Sequence, residues 1–95
     1  MMTNAERIDM IRTRLANLNP TSLDIVDDSH KHVGHAGARG GGHFRVSIVA
    51  QAFAGKSPIQ RHRMVYDAMG DAMQQEIHAL SITAKTPQEN ENNIG

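Results

Sequence analysis

The stretch His43-Phe-Arg-Val-Ser-Ile-Val-Ala-Gln51 alternates apolar and polar residues over its first half and decides the fold class. Phe44, Val46 and Ile48 share one parity, and the residues between them are polar. Because successive side chains of a β-strand point to opposite faces, this pattern predicts a strand with one buried and one solvated face. The rest of the chain must then supply a layer that covers the buried face.

Helical signals lie on both sides of this strand. Thr3-Asn-Ala-Glu6 has the form of a capping box, and the apolar residues after it recur every three or four positions as far as Leu18. Ser57-Pro58 reads as an N-cap followed by proline, which predicts a second helical region to about Gln75 that Gly70 bends. Five residues at helical spacing are expected to form its apolar stripe: Ile59, His62, Tyr66, Met69 and Met73.

Two more alternating segments, Ser22–Asp28 and Ile77–Lys85, predict further strands. The segment between the first two strands, Ser29–Gly42, contains five glycines and three histidines and is expected to be a long flexible loop. The resulting order of helix, strand, strand, helix and strand predicts an α+β domain. In this domain a three-stranded sheet carries helices packed on one face.

Composition excludes several classes of protein. The 95 residues carry ten Lys and Arg, ten Asp and Glu, and no Cys. This length fits one domain, which we assign to residues 1–86, followed by a polar, flexible tail at residues 87–95. Without cysteine there is no disulfide scaffold and no metal site built on the chain's own thiolates. A net charge of zero argues against a general nucleic-acid binder.

The sequence also predicts where the chain resides and what chemistry it lacks. It has no apolar run long enough to span a membrane and no signal-peptide pattern, so a cytoplasmic protein without a membrane partner is expected. Gly55-Lys-Ser57 is similar to the end of a phosphate-binding P-loop, but Ala50 stands where that motif needs glycine, so a turn and helix cap is the interpretation. Neither Ser29 with His30 nor the pair Asp27-Asp28 meets the geometry of a catalytic site, and no enzyme is expected.

One cluster of positive charge stands out. Lys56, Arg61 and Arg63 give residues 53–63 three positive charges and no acid. At a helix start they could contact phosphate oxygens. The alternative is an ordinary solvated helix face, with His62 at the edge of the core.

The histidines form the second unusual feature. His30, His32 and His35 lie within six residues of the glycine-rich segment, His43 begins the following strand, and His78 begins the last one. Imidazole is a common metal ligand, but this spacing supplies no carboxylate or thiolate that would complete a private zinc site. From spacing alone, His78 is expected to be a hydrogen-bonded histidine at the margin of the core, with ligation as the alternative.

Five blocks, in order and at matching spacing, make the chain similar to the BolA family. They are Asp28-Ser-His-Lys-His32, His43-Phe-Arg-Val-Ser-Ile-Val49, Phe53-Ala-Gly55, Arg61-His-Arg-Met-Val-Tyr66 and Ile77-His-Ala-Leu-Ser-Ile82. The resemblance implies a class II KH-like fold of order αββααβ, which divides the second helical region into two pieces. It also leaves a weak homodimer open.

The resemblance further implies a non-catalytic role with a monothiol glutaredoxin and its glutathione, in which the two proteins share a [2Fe-2S] cluster for cluster delivery or iron homeostasis. The family's ligand positions map onto His78 and His32, and His35, His30 and His43 are further candidates. Because iron–sulfur clusters usually need thiolates, this chain would not hold the cluster stably alone.

A second function follows from the same resemblance. Some family members are described as DNA-binding transcriptional regulators, and here Lys56, Arg61 and Arg63 would contact phosphates. KH domains bind nucleic acid through a G-x-x-G loop, but the comparable stretch of this chain reads Gly55-Lys-Ser-Pro58.

Overall fold

The computed structural model describes residues 2–29 and 42–92, and for Gln75, His78 and Asn92 it describes the backbone alone. The chain forms four α-helices and three strands in these ranges, and the predicted α+β class is confirmed. In chain order they are α1 (Asn4–Leu15), β1 (Ser22–Asp27), β2 (Gly42–Val49), α2 (Pro58–Met69), α3 (Ala72–Gln75), β3 (Ile77–Lys85) and α4 (Pro87–Asn92). No helix in the described ranges is both long and apolar enough to cross a membrane.

The sheet has the order β1-β2-β3, so the strand predicted most clearly from sequence lies in its centre. β1 pairs with β2 in antiparallel fashion, whereas β2 and β3 are parallel. A parallel pair needs a crossover connection, and α2 and α3 supply it. The starts of β2 and β3 and the end of β1 therefore lie at one end of the sheet.

The core lies between one face of this sheet and the helices. Phe44, Val46 and Ile48 are at most 2% exposed, while Arg45 and Ser47 between them are exposed. The other buried core residues come from α1, from α2 and the segments flanking it, and from β3: Ile11, Leu15, Ala50, Phe53, Val65, Met69, Ala72, Ile77 and Leu80. β2 therefore has one face packed under the helices and one face in water, as its alternation predicts.

Both predicted helix starts are confirmed as capping boxes. The backbone N–H of Glu6 donates to Thr3 Oγ1 (3.1 Å), and the N–H of Thr3 donates to Glu6 Oε1 (2.8 Å). Ser57 and Gln60 make the same reciprocal pair at the start of α2, at 3.2 and 2.8 Å. Each cap satisfies backbone donors that the first turn leaves without partners, and such a cap contributes about 1 kcal/mol.

The second helical region departs from the prediction in two ways. It ends at Met69, because Gly70 takes a positive φ of 60°, and α3 follows as a separate turn. The predicted stripe is wrong at Ile59 and Tyr66, which are 65% and 40% exposed, and at His62, which is exposed.

The residues of α2 that pack against the core lie on a neighbouring stripe, which shares only Met69 with the predicted one. It consists of Met64, Val65, Ala68 and Met69. Both stripes have helical spacing, so periodicity alone could not choose between them. The Tyr66 hydroxyl instead reaches the edge of the sheet and donates to the Leu80 carbonyl at 3.4 Å.

The residues assigned to a polar tail begin with a helix. Thr86 caps α4, since its Oγ1 accepts from the N–H of Glu89 (3.2 Å) and its own N–H donates to Glu89 Oε1 (2.9 Å). Thr86-Pro-Gln-Glu89 therefore has the capping-box form that also marked the start of α1.

Candidate functional site

His78 lies at an irregularity in the sheet. Gly42 of β2 pairs with Ile77, but the next residue, His43, pairs with Ala79, which leaves His78 as the extra residue of a bulge. Bulges bend and twist a strand locally and re-aim its side chains. The regular register of β3 against β2 is therefore interrupted at His78.

Apart from His43, the remaining candidate ligands belong to a segment whose two flanks lie at the same end of the sheet. His30, His32 and His35 lie outside the described residues, but the residues that flank their segment are described. The N–H of Asp28 donates to the His43 carbonyl (2.8 Å), and the N–H of His43 donates to Ser29 Oγ (3.0 Å). The segment thus leaves and re-enters the fold beside the start of β3. We call this region, residues 27–29, 42–43 and 76–78, the loop end of the sheet.

A buried polar network lies at the loop end, and sequence reasoning missed it. Arg7 of α1 is 8% exposed, and its Nε lies 3.4 Å from Glu76 Oε1. The Nη1 atom of Arg7 donates to Asn4 Oδ1 (2.7 Å), and Asn4 Nδ2 donates to Asp27 Oδ2 (3.0 Å). Asp27 Oδ1 accepts from the backbone N–H of Ser29 at 2.8 Å. One chain of contacts therefore connects α1, the end of β1 and the start of β3.

The spacing of residues in α1 contains a sequence signal for this network. Arg7, Ile11 and Leu15 are spaced by four residues, and all three are buried on one face of α1. A charged residue in register with two core residues indicates a buried ion pair, because a buried charge without a partner is costly.

The donor chemistry of the loop end limits which metal site it could complete. Asp27 accepts the two hydrogen bonds above, and Asp28 is held by Arg45, whose Nε lies 2.6 Å from its Oδ2. The described residues contain no group of three or more His, Asp or Glu that could hold a metal ion, and the sequence has no cysteine. This chain can offer imidazole nitrogens there but no thiolate. An iron–sulfur site at the loop end would therefore need sulfur ligands from elsewhere.

The three basic residues near the start of α2 are not equivalent. The Arg61 guanidinium binds both carboxylate oxygens of Glu89, at 2.6 and 3.0 Å, and also donates to the carbonyls of Lys56 (2.9 Å) and Ala84 (3.1 Å). Its side chain is only 13% exposed. Arg61 therefore connects α2 to the end of β3 and to α4. We call this end of the sheet, where β3 ends and α4 packs, the α4 end.

The Arg61–Glu89 pair also shifts the titration of both partners. The hydrogen bonds from the Arg61 side chain, followed by the one from the Thr86 backbone, lower the pKa of Glu89 to about 2. The hydrogen bond to Glu89 raises the pKa of Arg61 above its usual value. Charge-assisted, two-point contacts of this kind are the strong class of hydrogen bond.

Lys56 and Arg63 remain exposed and make no ion pair with any described residue. With Gln60 and Met64 they line an open groove of about 310 Å³. The predicted basic cluster is thus reduced to two available cations beside an apolar side chain.

Comparisons with known proteins cover most of the chain. A family model described as BolA-like protein matches residues 15–89. SufE-like protein 1, chloroplastic/mitochondrial, of Arabidopsis thaliana is 45% identical over 86 residues, which are 83% of this chain and 23% of that protein. The DNA-binding transcriptional regulator BolA of Escherichia coli (strain K12) is 34% identical over 85 residues, which are 84% of this chain and 79% of that protein.

A solved structure gives the same result for the fold. The BolA domain of SufE1 from Arabidopsis thaliana matches with a TM-score of 0.75 and 41% identity, and covers 94% of this chain and 98% of that one. The chain spans 55% and 56% of the length of two further curated relatives, so it corresponds to one part of several longer proteins.

Proposed function

Because this chain belongs to the BolA-like protein family, we propose that it is a non-catalytic iron–sulfur adaptor that shares a [2Fe-2S] cluster with a monothiol glutaredoxin. Cluster delivery or iron homeostasis would be the purpose, and a cytoplasmic location is part of the proposal. One observation supports it above the others: the backbone brings the strand start with His78 and both flanks of the histidine-rich segment to the loop end of the sheet.

In this proposal His78 and His32 supply nitrogen ligands, and His35, His30 and His43 are the alternatives to His32. The partner's cysteine and its glutathione supply the thiolates that this sequence lacks. When bound, the cluster supplies transferable iron and sulfur. The imidazoles must be neutral to ligate, so sharing should weaken as the pH falls through the histidine range near about 6.5.

A titration of the apo protein into a [2Fe-2S]-loaded monothiol glutaredoxin, followed by visible circular dichroism, tests this function. We expect a new spectrum that is lost in His78→Ala and in His32→Ala. His62→Ala is the matched control, since His62 lies exposed on α2 and not at the loop end. A wild-type spectrum that persists in His78→Ala would remove His78 from the ligand set, and an unchanged glutaredoxin spectrum with wild-type protein would remove the function.

The exposed pair Lys56 and Arg63 favours a second candidate function, DNA binding, which is also named for the Escherichia coli relative. Since Glu89 occupies the Arg61 guanidinium, two cations remain to contact phosphates. Each phosphate contact contributes roughly 0.9 to the slope of log affinity against log salt concentration.

Fluorescence anisotropy with a random 20-base-pair duplex tests this second function. We expect Lys56→Gln with Arg63→Gln to lower the salt slope by about 2, and Arg61→Gln to change it less. If the double variant binds with an unchanged slope, the groove beside α2 is not the DNA-contacting surface.

A further inference from the structure

We propose that Arg7 is a positioning residue for the loop end of the sheet, and that it fixes the start of β3, which carries His78, relative to the flanks of the histidine-rich segment. The purpose assigned to Arg7 rests on the proposed cluster-sharing function. The inference itself rests on the contacts of Arg7 with Glu76 and Asn4.

Arg7 reaches the loop end directly through Glu76 and indirectly through Asn4. Glu76, the residue before β3, pairs with Arg7 through its side chain (3.4 Å) and accepts from the N–H of Gly42 through its carbonyl (3.4 Å). On the other side, Asn4 passes the contact from Arg7 to Asp27, whose second oxygen holds the N–H of Ser29. The starts of β2 and β3 and the end of β1 are therefore fixed to one guanidinium on α1.

Core packing does not require an arginine at this position. Arg7 shares its face of α1 with Ile11 and Leu15, where an apolar side chain of similar length would fill the same volume. Buried ion pairs are frequently no more stabilising than apolar residues of similar size, because both charges lose their hydration. What an apolar residue could not supply is polar contact: a charge opposite Glu76 and a hydrogen bond donated to Asn4 Oδ1.

A bulge makes such positioning necessary. The backbone around His78 lacks the regular pairing that orients the rest of β3, because the register shifts between Gly42 and His43. Partners that hold the groups around a metal ligand commonly change metal affinity by about 10- to 100-fold when they are removed. Arg7 pairs with Glu76, two residues before His78 in the chain, so its network lies next to the bulge.

Arg14 provides a matched control on the same helix. It also joins α1 to the end of α2 and the segment after it, by donating to the Met69 carbonyl (2.8 Å) and pairing with Asp71 (3.2 Å). Neither partner belongs to the loop end. Arg14→Met therefore removes an arginine tether of α1 without removing a contact of the network.

The experiment compares Arg7→Met with Arg14→Met in two measurements. In the apo protein, amide hydrogen exchange of Gly42 and His43 is expected to accelerate about 10-fold in Arg7→Met, relative to amides in the middle of β2, and to be unchanged in Arg14→Met. In the cluster titration, half-saturation is expected to require roughly 10-fold more Arg7→Met than wild-type protein, with an altered dichroism spectrum at saturation. Glu76→Gln, which keeps the size of the side chain, serves as the second variant if Arg7→Met does not fold.

The outcomes separate the two claims. Unchanged exchange in Arg7→Met overturns the positioning role, whatever the cluster does. Faster exchange with normal cluster sharing shows that Arg7 is structural only and overturns the ligand-positioning inference. If wild-type protein does not alter the glutaredoxin spectrum, the proposed function fails and the purpose assigned to Arg7 fails with it, while the exchange result still measures what Arg7 holds in place.

Discussion

The two ends of β3 are each fixed by an arginine–glutamate pair, but the two pairs differ in burial and in what they connect. At the loop end, the Arg7 side chain is 9% exposed and that of Glu76 is 27% exposed. At the α4 end, Arg61 is 13% exposed, but its partner Glu89 is 47% exposed. The loop-end pair lies inside a network that spans three segments, whereas the α4-end pair holds a terminal helix against the sheet.

Because the two pairs differ in burial, they contribute differently to the structure. A half-exposed carboxylate regains water when its partner is lost, so the α4-end pair mainly orders α4 and keeps Arg61 from other anions. A buried guanidinium has no such exchange, so the loop-end pair fixes the relative position of the segments that it joins. A ligand site depends on the relative position of the segments that form it, whereas α4 depends on being held against the sheet.

Replacement of the two glutamates tests the contrast directly and should have the largest effect. Glu76→Ala leaves the Arg7 guanidinium buried without its partner, and we expect it to lower the free energy of unfolding by about 2 kcal/mol, after allowance for the partial exposure of Glu76. Glu89→Ala should lower it less, because water replaces that carboxylate. Urea unfolding of the two variants measures both. A greater loss in Glu89→Ala would reverse the assignment of the two pairs.

A second prediction compares glycines that lie toward the two ends of the molecule. A Cβ on Gly42 would collide with the ring of Phe44, which is 2% exposed and cannot move aside. We expect Gly42→Ala to lower the free energy of unfolding by about 1–3 kcal/mol through overpacking. Gly55, in the turn before α2, has a φ of 74° and open space around it, so Gly55→Ala should cost only the backbone strain of about 1 kcal/mol. Equal losses in the two variants would show that the loop end relaxes more readily than its packing indicates.

Where local chemistry determines structure, the sequence was sufficient. The alternation of β2 gave the buried face, and the Ser57-Pro58 cap gave the start of α2, because each signal depends on neighbours within a few residues. The stripe of α2 was wrong at Tyr66 since two apolar stripes with the same period compete, and contact with the sheet selects one of them.

The candidate site depends on contacts between distant residues, which local patterns do not encode. Arg7 and Glu76 are 69 positions apart, and the bulge at His78 exists only in the register of β3 against β2. The same limit explains Arg61: its charge is visible in sequence, but its capture by Glu89 depends on where α4 packs. Only the capping box at Thr86 and the i, i+4 spacing of Arg7 and Ile11 were available as signals.

The smallest expected effect is the acid sensitivity of the α4 end. Hydrogen bonds from Arg61 and from the Thr86 backbone lower the pKa of Glu89 from 4.5 to about 2. A carboxylate whose pKa is depressed by folding stabilises the folded state above its unfolded pKa, and this contribution is lost as the pH falls from about 4.5 through about 2. In NMR spectra recorded across this range, the amides of residues 88–91 should lose protection at a higher pH than those of β2. Glu89→Gln should have lower protection of α4 at neutral pH, without the acid transition. If α4 and β2 lose protection together in wild-type protein, the pair is part of the global unfolding unit and the two ends of β3 do not differ in the way their burial indicates.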